Sequence, residues 1–147
     1  MKNQAYMMIA AIMLVTVAGL STANAQTSSS AQMVASIPFE FNVGNKTLPA
    51  GEYNVRCINP GSSMKVLQIR STTGSQSALV RTDSVSGKMK DNAQLLFHRY
   101  GNEYFFAQAW MPADSIGMQA PKSRRLKEHE LAQATRTSET VALRRSR

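Results

Sequence analysis

Two patterns of hydrophobicity divide this chain. From Met7 to Leu20 the residues are apolar, with Thr16 and Gly19 the only interruptions. Beyond residue 33 apolar and polar residues alternate instead, at the period of two that marks half-buried strands. Ile37, Phe39, Phe41 and Val43 share one face of a first predicted strand, in which Pro38 argues for a strand start or a sheet edge. Gly44-Asn45-Lys46 and Leu48-Pro49-Ala50-Gly51 then bend the chain. A second strand over Glu52–Ile58 carries Tyr53, Val55 and Cys57 on one side and stops at the turn Asn59-Pro60-Gly61. A third, about Met64–Arg70, aligns Leu67 with Ile69. Thr73-Gly74-Ser75 turns again into a more polar fourth strand, Ala78–Val85, and residues 86–92 form a charged loop.

The segment Ala93–Met111 is the most informative. Gly101-Asn102 is a two-residue loop with Gly first, the pattern of a type II′ hairpin. Such a hairpin sets Tyr100 opposite Glu103, Arg99 opposite Tyr104, His98 opposite Phe105 and Phe97 opposite Phe106. One face then carries Leu95, Phe97, Tyr104, Phe106 and Trp110, the other Leu96, Tyr100, Phe105, Ala107 and Ala109. With both faces apolar, the hairpin must be covered on both sides. The one helical stretch, about Lys122–Ala134, is the cover to expect, with Pro121 at its start and Leu126, Leu131 and Ala134 as an apolar stripe. Arg124/Glu128 and Lys127/Glu130 are spaced for surface ion pairs. Residues 139–145 alternate at Val141 and Leu143 and read either as a final edge strand or as a frayed basic tail. Strands recurring about every ten residues between Gly, Pro and Asn turns indicate a mainly β fold. The expectation is a small antiparallel β-sandwich or partly closed barrel of about seven strands with one C-terminal helix.

Lys2, the apolar run and the closing Ala23-Asn24-Ala25 together have the layout of a secretory signal peptide cleaved after Ala25. The run has 14 residues, short of the roughly 20 needed to span a bilayer. The expected organisation is a signal peptide over 1–25, a flexible leader over 26–33, and a single domain over 34–147 ending in the helix about 122–134 and a basic tail. Localisation is then periplasmic or extracellular. The mature part has 122 residues, enough for one self-supporting core. Cys57 is the only cysteine, so no disulfide forms within the chain, and a small buried hydrophobe is its plain reading.

The formal net charge of the whole chain is +8. From Pro121 to Arg147 there are eight Lys/Arg against three Glu. That excess points to an anionic component of the envelope, with Lys122, Arg124, Arg125 and Lys127 as contacts, and export makes nucleic acid an unexpected partner. Catalytic chemistry finds little support. His98 is read as a cross-strand aromatic partner and His129 as solvated on a charged helix. Two distant histidines and one cysteine have no metal-site spacing. Ser62-Ser63-Met64-Lys65 has the S-x-x-K form but follows a turn, enters a strand and lacks its partner motifs. No cofactor, metal or catalytic residue is assigned. Three readings of function are weighed: a non-enzymatic interaction or structural protein of the periplasm or envelope, a small-ligand barrel using Phe97, Arg99, Tyr104, Phe106 and Trp110 as a pocket wall, and, last, an enzyme whose one centre would be His98 and Arg99. A cavity behind those aromatics favours the second; a filled interior there favours the first.

The run Ile37-Pro38-Phe39-Glu40-Phe41-Asn42-Val43-Gly44-Asn45-Lys46-Thr47-Leu48-Pro49-Ala50-Gly51-Glu52-Tyr53, followed by Leu95 to Gly101, Tyr104-Phe105, Trp110 and Pro121-Lys122-Ser123, resembles a group of small exported proteins of Acidobacteria to which no activity is assigned. The resemblance covers nearly all of the mature chain. It implies export and a β-rich fold and brings no function. Those proteins often continue the final helix with acidic residues, where this chain is more basic.

Overall fold

The period-two alternation becomes burial. In the segment 53–57 the inward residues Tyr53, Val55 and Cys57 are buried, while Asn54 and Arg56 face out. The computed structural model describes residues 32–132 and 134–146. The predicted signal peptide and the leader as far as residue 31 lie outside the described residues. The strands are β1 Met33–Ile37, β2 Phe41–Val43, β3 Lys46–Leu48, β4 Gly51–Cys57, β5 Lys65–Ser71, β6 Ser77–Ser86, β7 Gln94–Tyr100, β8 Glu103–Trp110, β9 Ile116–Gln119 and β10 Arg136–Arg145; helix α1, Arg124–Leu131, lies between β9 and β10.

Eight of these strands close on themselves in the order β1-β4-β5-β6-β9-β8-β7-β10 and back to β1, every neighbour antiparallel. The fold is therefore a closed barrel rather than a sandwich. An eight-stranded barrel has an interior that side chains can fill, and Ala35, Ile37, Tyr53, Val55, Leu67, Ile69, Leu95, Phe97 and Ala109 are at most 1% exposed. Outward positions such as Asn54, Arg56, Gln68, Arg70 and Arg81 are polar, the reverse of a barrel that spans a bilayer.

The β2–β3 hairpin stands outside this ring. It joins β8 through one parallel pair, Asn42 with Phe105, and lies across one end of the barrel, where Lys46 Nζ donates to the Ser77 carbonyl at 2.7 Å. Its Phe41 meets Tyr53 and Phe97 edge-on, with ring centroids 5.2 and 5.4 Å apart. Phe97 meets Phe106 in the same way. An aromatic plug thus closes that end of the barrel.

Four expectations are corrected. The strand read through Ile37–Val43 is two strands, because Pro38 cannot donate to a ladder and the chain leaves β1 there. Strand β9 was not anticipated, since Gly117 weakens any strand signal. Residues 136–145 are neither an edge nor a frayed tail: β10 pairs with β7 on one side and with β1 on the other. Finally, α1 begins after Ser123, whose Oγ accepts from the Leu126 N–H at 3.2 Å as an N-cap, and Leu131, five residues on from the buried Leu126, falls on another face of the helix and is 83% exposed.

The β7–β8 hairpin follows the expected register from Tyr100–Glu103 to Phe97–Phe106. Gly101 has φ +59°, and Asn102 does not share that sign, as type II′ requires. Beyond Phe106 the register slips, because Leu96 pairs with Gln108. Ala107 is the extra residue of a β-bulge, which reverses the facing of everything after it. Ala109 therefore enters the core and Trp110 leaves it.

Candidate functional site

The aromatic residues singled out from the sequence do not line one cavity. Phe97 and Phe106 are packed into the core. Tyr104 stacks on Phe39 with centroids 3.8 Å apart, and the Arg99 guanidinium stands 5.5 Å from the Tyr104 ring. This is the cation–π contact anticipated for that pair. Trp110 lies outside the barrel ring but is buried there, against the backbone of Gly87 and Gly117, where an added Cβ at either glycine would run into the indole. Its Nε1 donates to Gln108 Oε1 at 3.0 Å, and Lys90 Nζ lies 5.7 Å from the ring centroid.

The basic residues of the helix region are largely spent within the molecule. Lys122 pairs with Glu130 at 2.8 Å, Arg124 with Glu128 at 3.2 Å, and Arg125 with Glu103. Glu130 takes Lys122 rather than the expected Lys127. Of the four contacts read for an anionic surface, only Lys127 has no ion pair among the described residues. The apolar face of α1 behaves as expected: Leu126 packs on Tyr100 and Phe105, covering the outer side of the hairpin.

His98 lies opposite Phe105, as its reading as an aromatic partner requires. Burial, and next the Arg136 guanidinium, hold its imidazole below the ordinary value. His129 is half-buried rather than freely solvated. It stacks on Tyr100 at 5.7 Å, meets Phe105 edge-on and reaches the Glu103 carboxylate. The sequence spacing alone could not show that α1 folds back over the hairpin tip. Glu130 is held below the ordinary carboxylate value, first by its hydrogen bond from Lys122. These groups fasten the helix, and none forms a nucleophile–base pair.

While wider and more polar depressions lie on the outer face of β4 and β5 and between the β2–β3 hairpin and α1, a mainly apolar hollow lies at the end of the barrel opposite the aromatic plug. There the β4–β5 and β8–β9 loops and the outer ends of β1 and β10 surround an apolar bowl of about 230 Å³. Met33, Cys57 and Met118 form its buried part, Pro60, Met111 and Pro112 its wall, and Lys65 and Arg145 its charged lip. Asn59 fixes one side: its Nδ2 donates to the Met64 carbonyl at 2.8 Å and its Oδ1 accepts from the Val66 N–H at 2.6 Å. On the other side the Ala113 N–H donates to the Lys90 carbonyl at 2.8 Å, tying the β8–β9 loop to the β6–β7 loop. Ala113 has φ +58°, a conformation that costs an L-residue about 1–2 kcal/mol.

All five methionines after residue 25, Met33, Met64, Met89, Met111 and Met118, are placed at this end together with Cys57. Reasoning along the sequence missed this clustering, because the residues are spread over 86 positions and only the barrel closure brings them together. Thioether side chains are unbranched and polarisable and fill irregular spaces, so such a lining adapts to more than one apolar shape. Lys65 and Arg145 add donors suited to a carboxylate, sulfonate or phosphate. No group of three His, Cys, Asp or Glu side chains capable of holding a metal occurs among the described residues. The arrangement is built to hold an apolar body with an anionic end.

Comparison with protein-family models, with curated proteins and with solved structures returned no match to this chain.

Proposed function

We propose that this chain is an exported, non-enzymatic protein of the bacterial envelope that binds a small apolar or amphiphilic molecule in the open end of its barrel. One observation carries the reading: the bowl of about 230 Å³ is apolar within and bears two cations at its lip. Burying each methylene of a guest there is favourable by about 0.8 kcal/mol, and the lip selects guests that end in an anion. The packed aromatic half of the interior speaks against a central pocket behind Phe97, Tyr104 and Phe106. That filled interior favours the interaction reading over the aromatic pocket, and the ligand reading rests on the mouth because its lining is more apolar than that of the wider outer hollows. The signal-peptide pattern of residues 1–25 supports export.

Native mass spectrometry of the chain recovered from the periplasm of a bacterial host, before and after organic extraction, tests this reading. The expected result is a stoichiometric extra mass that extraction removes. It is accompanied by one-site binding of the apolar anion 1-anilinonaphthalene-8-sulfonate to the extracted protein. A bare mass together with no saturable probe binding contradicts it.

A further inference from the structure

We propose that the same end of the barrel is a surface that rests on an anionic lipid bilayer. This goes beyond the ligand reading and does not require it. Six large hydrophobic side chains are exposed among the described residues, and four of them, Ile58, Met64, Met89 and Ile116, stand around the mouth. They come from three loops and the strand ends beside them, and each projects singly. The other two are Leu79, on the outer face of β6, and Leu131 of α1 at the opposite end.

The charge is arranged to match. Lys65, Arg81, Lys88, Lys90 and Arg145 are on or beside these loops, against Asp83, Asp91 and Asp114. One Asp114 oxygen already accepts the Ile116 N–H at 2.8 Å. None of these five cations has an ion pair among the described residues; at the opposite end Lys122, Arg124 and Arg125 pair with Glu130, Glu128 and Glu103, while Lys46, Arg99, Lys127 and Arg136 do not. An apolar rim interleaved with unmatched cations is the composition of a surface that inserts a few side chains among anionic head groups. A protein partner would instead call for a continuous patch with aromatic anchors at its centre. Here the one tryptophan is folded down on Gly87 and Gly117.

The chain recovered from the periplasm, stripped by organic extraction, is sedimented with phosphatidylcholine vesicles made with and without phosphatidylglycerol, at low and at high salt. Binding is expected to require phosphatidylglycerol and to fall with salt. Lys88→Gln with Lys90→Gln should weaken it about 25-fold, at about fivefold for each charge. Met89→Ser with Ile116→Ser should weaken it about tenfold. Lys127→Gln, on α1 at the far end, should leave it unchanged. Circular dichroism reports that each variant is folded. Folded protein that ignores phosphatidylglycerol overturns the proposal, as does binding that survives the mouth substitutions or is lost with Lys127→Gln. Probe binding in vesicle-free solution is read separately, so the ligand reading and the membrane reading stand or fall independently.

Discussion

Gly117 shows how one missing side chain places another. An added Cβ there would lie 2.8 Å from the Trp110 indole, well inside ordinary contact, so the glycine is what lets the ring lie flat on β9. Gly117→Val is expected to cost about 2–3 kcal/mol and to shift Trp110 fluorescence to the red as the indole lifts into water. Urea unfolding and emission spectra report both. Tyr53 illustrates the opposite case, a polar atom carried into the core with its partner. Its hydroxyl donates to the Pro49 carbonyl at 2.6 Å, and burial pushes its pKa up. Leu48-Pro49-Ala50-Gly51-Glu52-Tyr53 thus closes on itself, and Tyr53→Phe should lose about 1 kcal/mol with the fold intact. His98 adds a pH dependence. Its folded pKa lies below the ordinary value of 6.5, so the unfolded chain takes up that proton more readily. The stability held by the neutral ring is complete above 6.5 and is lost as pH falls through the lowered folded value. The urea midpoint should decline from about pH 7 to about pH 5, and His98→Gln should flatten the decline.

At the level of elements, the β7–β8 hairpin was legible to the residue as far as Phe106, because a Gly-Asn loop dictates register locally. The legibility ended at Ala107. A bulge is decided by what lies on either side of the strand, here the Ala120 N–H that bonds to the Ala107 carbonyl at 2.8 Å, and nothing within β8 announces it. Trp110 was assigned to the wrong face for that reason alone. Strand β10 was half legible: Val141 and Leu143 alternate, but whether such a strand is an edge or an interior member depends on β1 and β7, both distant in sequence. Of Met33–Ile37, Met33 falls in the predicted leader and Ile37 alone in the first predicted strand, because Ala35 and Ser36 carry little hydrophobic signal, although Ala35 is fully buried. The helix was legible through its N-terminal Pro-Lys-Ser and Leu126. Its docking is the testable part. Leu126→Ala removes the one α1 side chain buried against Tyr100 and Phe105, and should cost about 2–3 kcal/mol. The loss should appear first as faster amide exchange in α1.

For the whole molecule, closure of the barrel matters more to function than any single residue. It brings Met33, Met111 and Met118 into the lining of one mouth with Met64 and Met89 exposed beside it, and it packs Phe97 and Phe106, which looked like a binding wall, into the core. The candidate site was therefore not legible from local pattern, while the mainly β class was. The most direct test of the ligand reading uses those methionines as reporters. The chain is labelled with methyl-¹³C methionine, extracted, and titrated with decanoate while the methyl resonances are followed by NMR. The expected result is saturable one-site movement of Met33, Met111 and Met118 together, weakened about fivefold by Lys65→Gln. Methyl resonances that stay still at saturating decanoate, or move without saturation, contradict a ligand site at the barrel mouth.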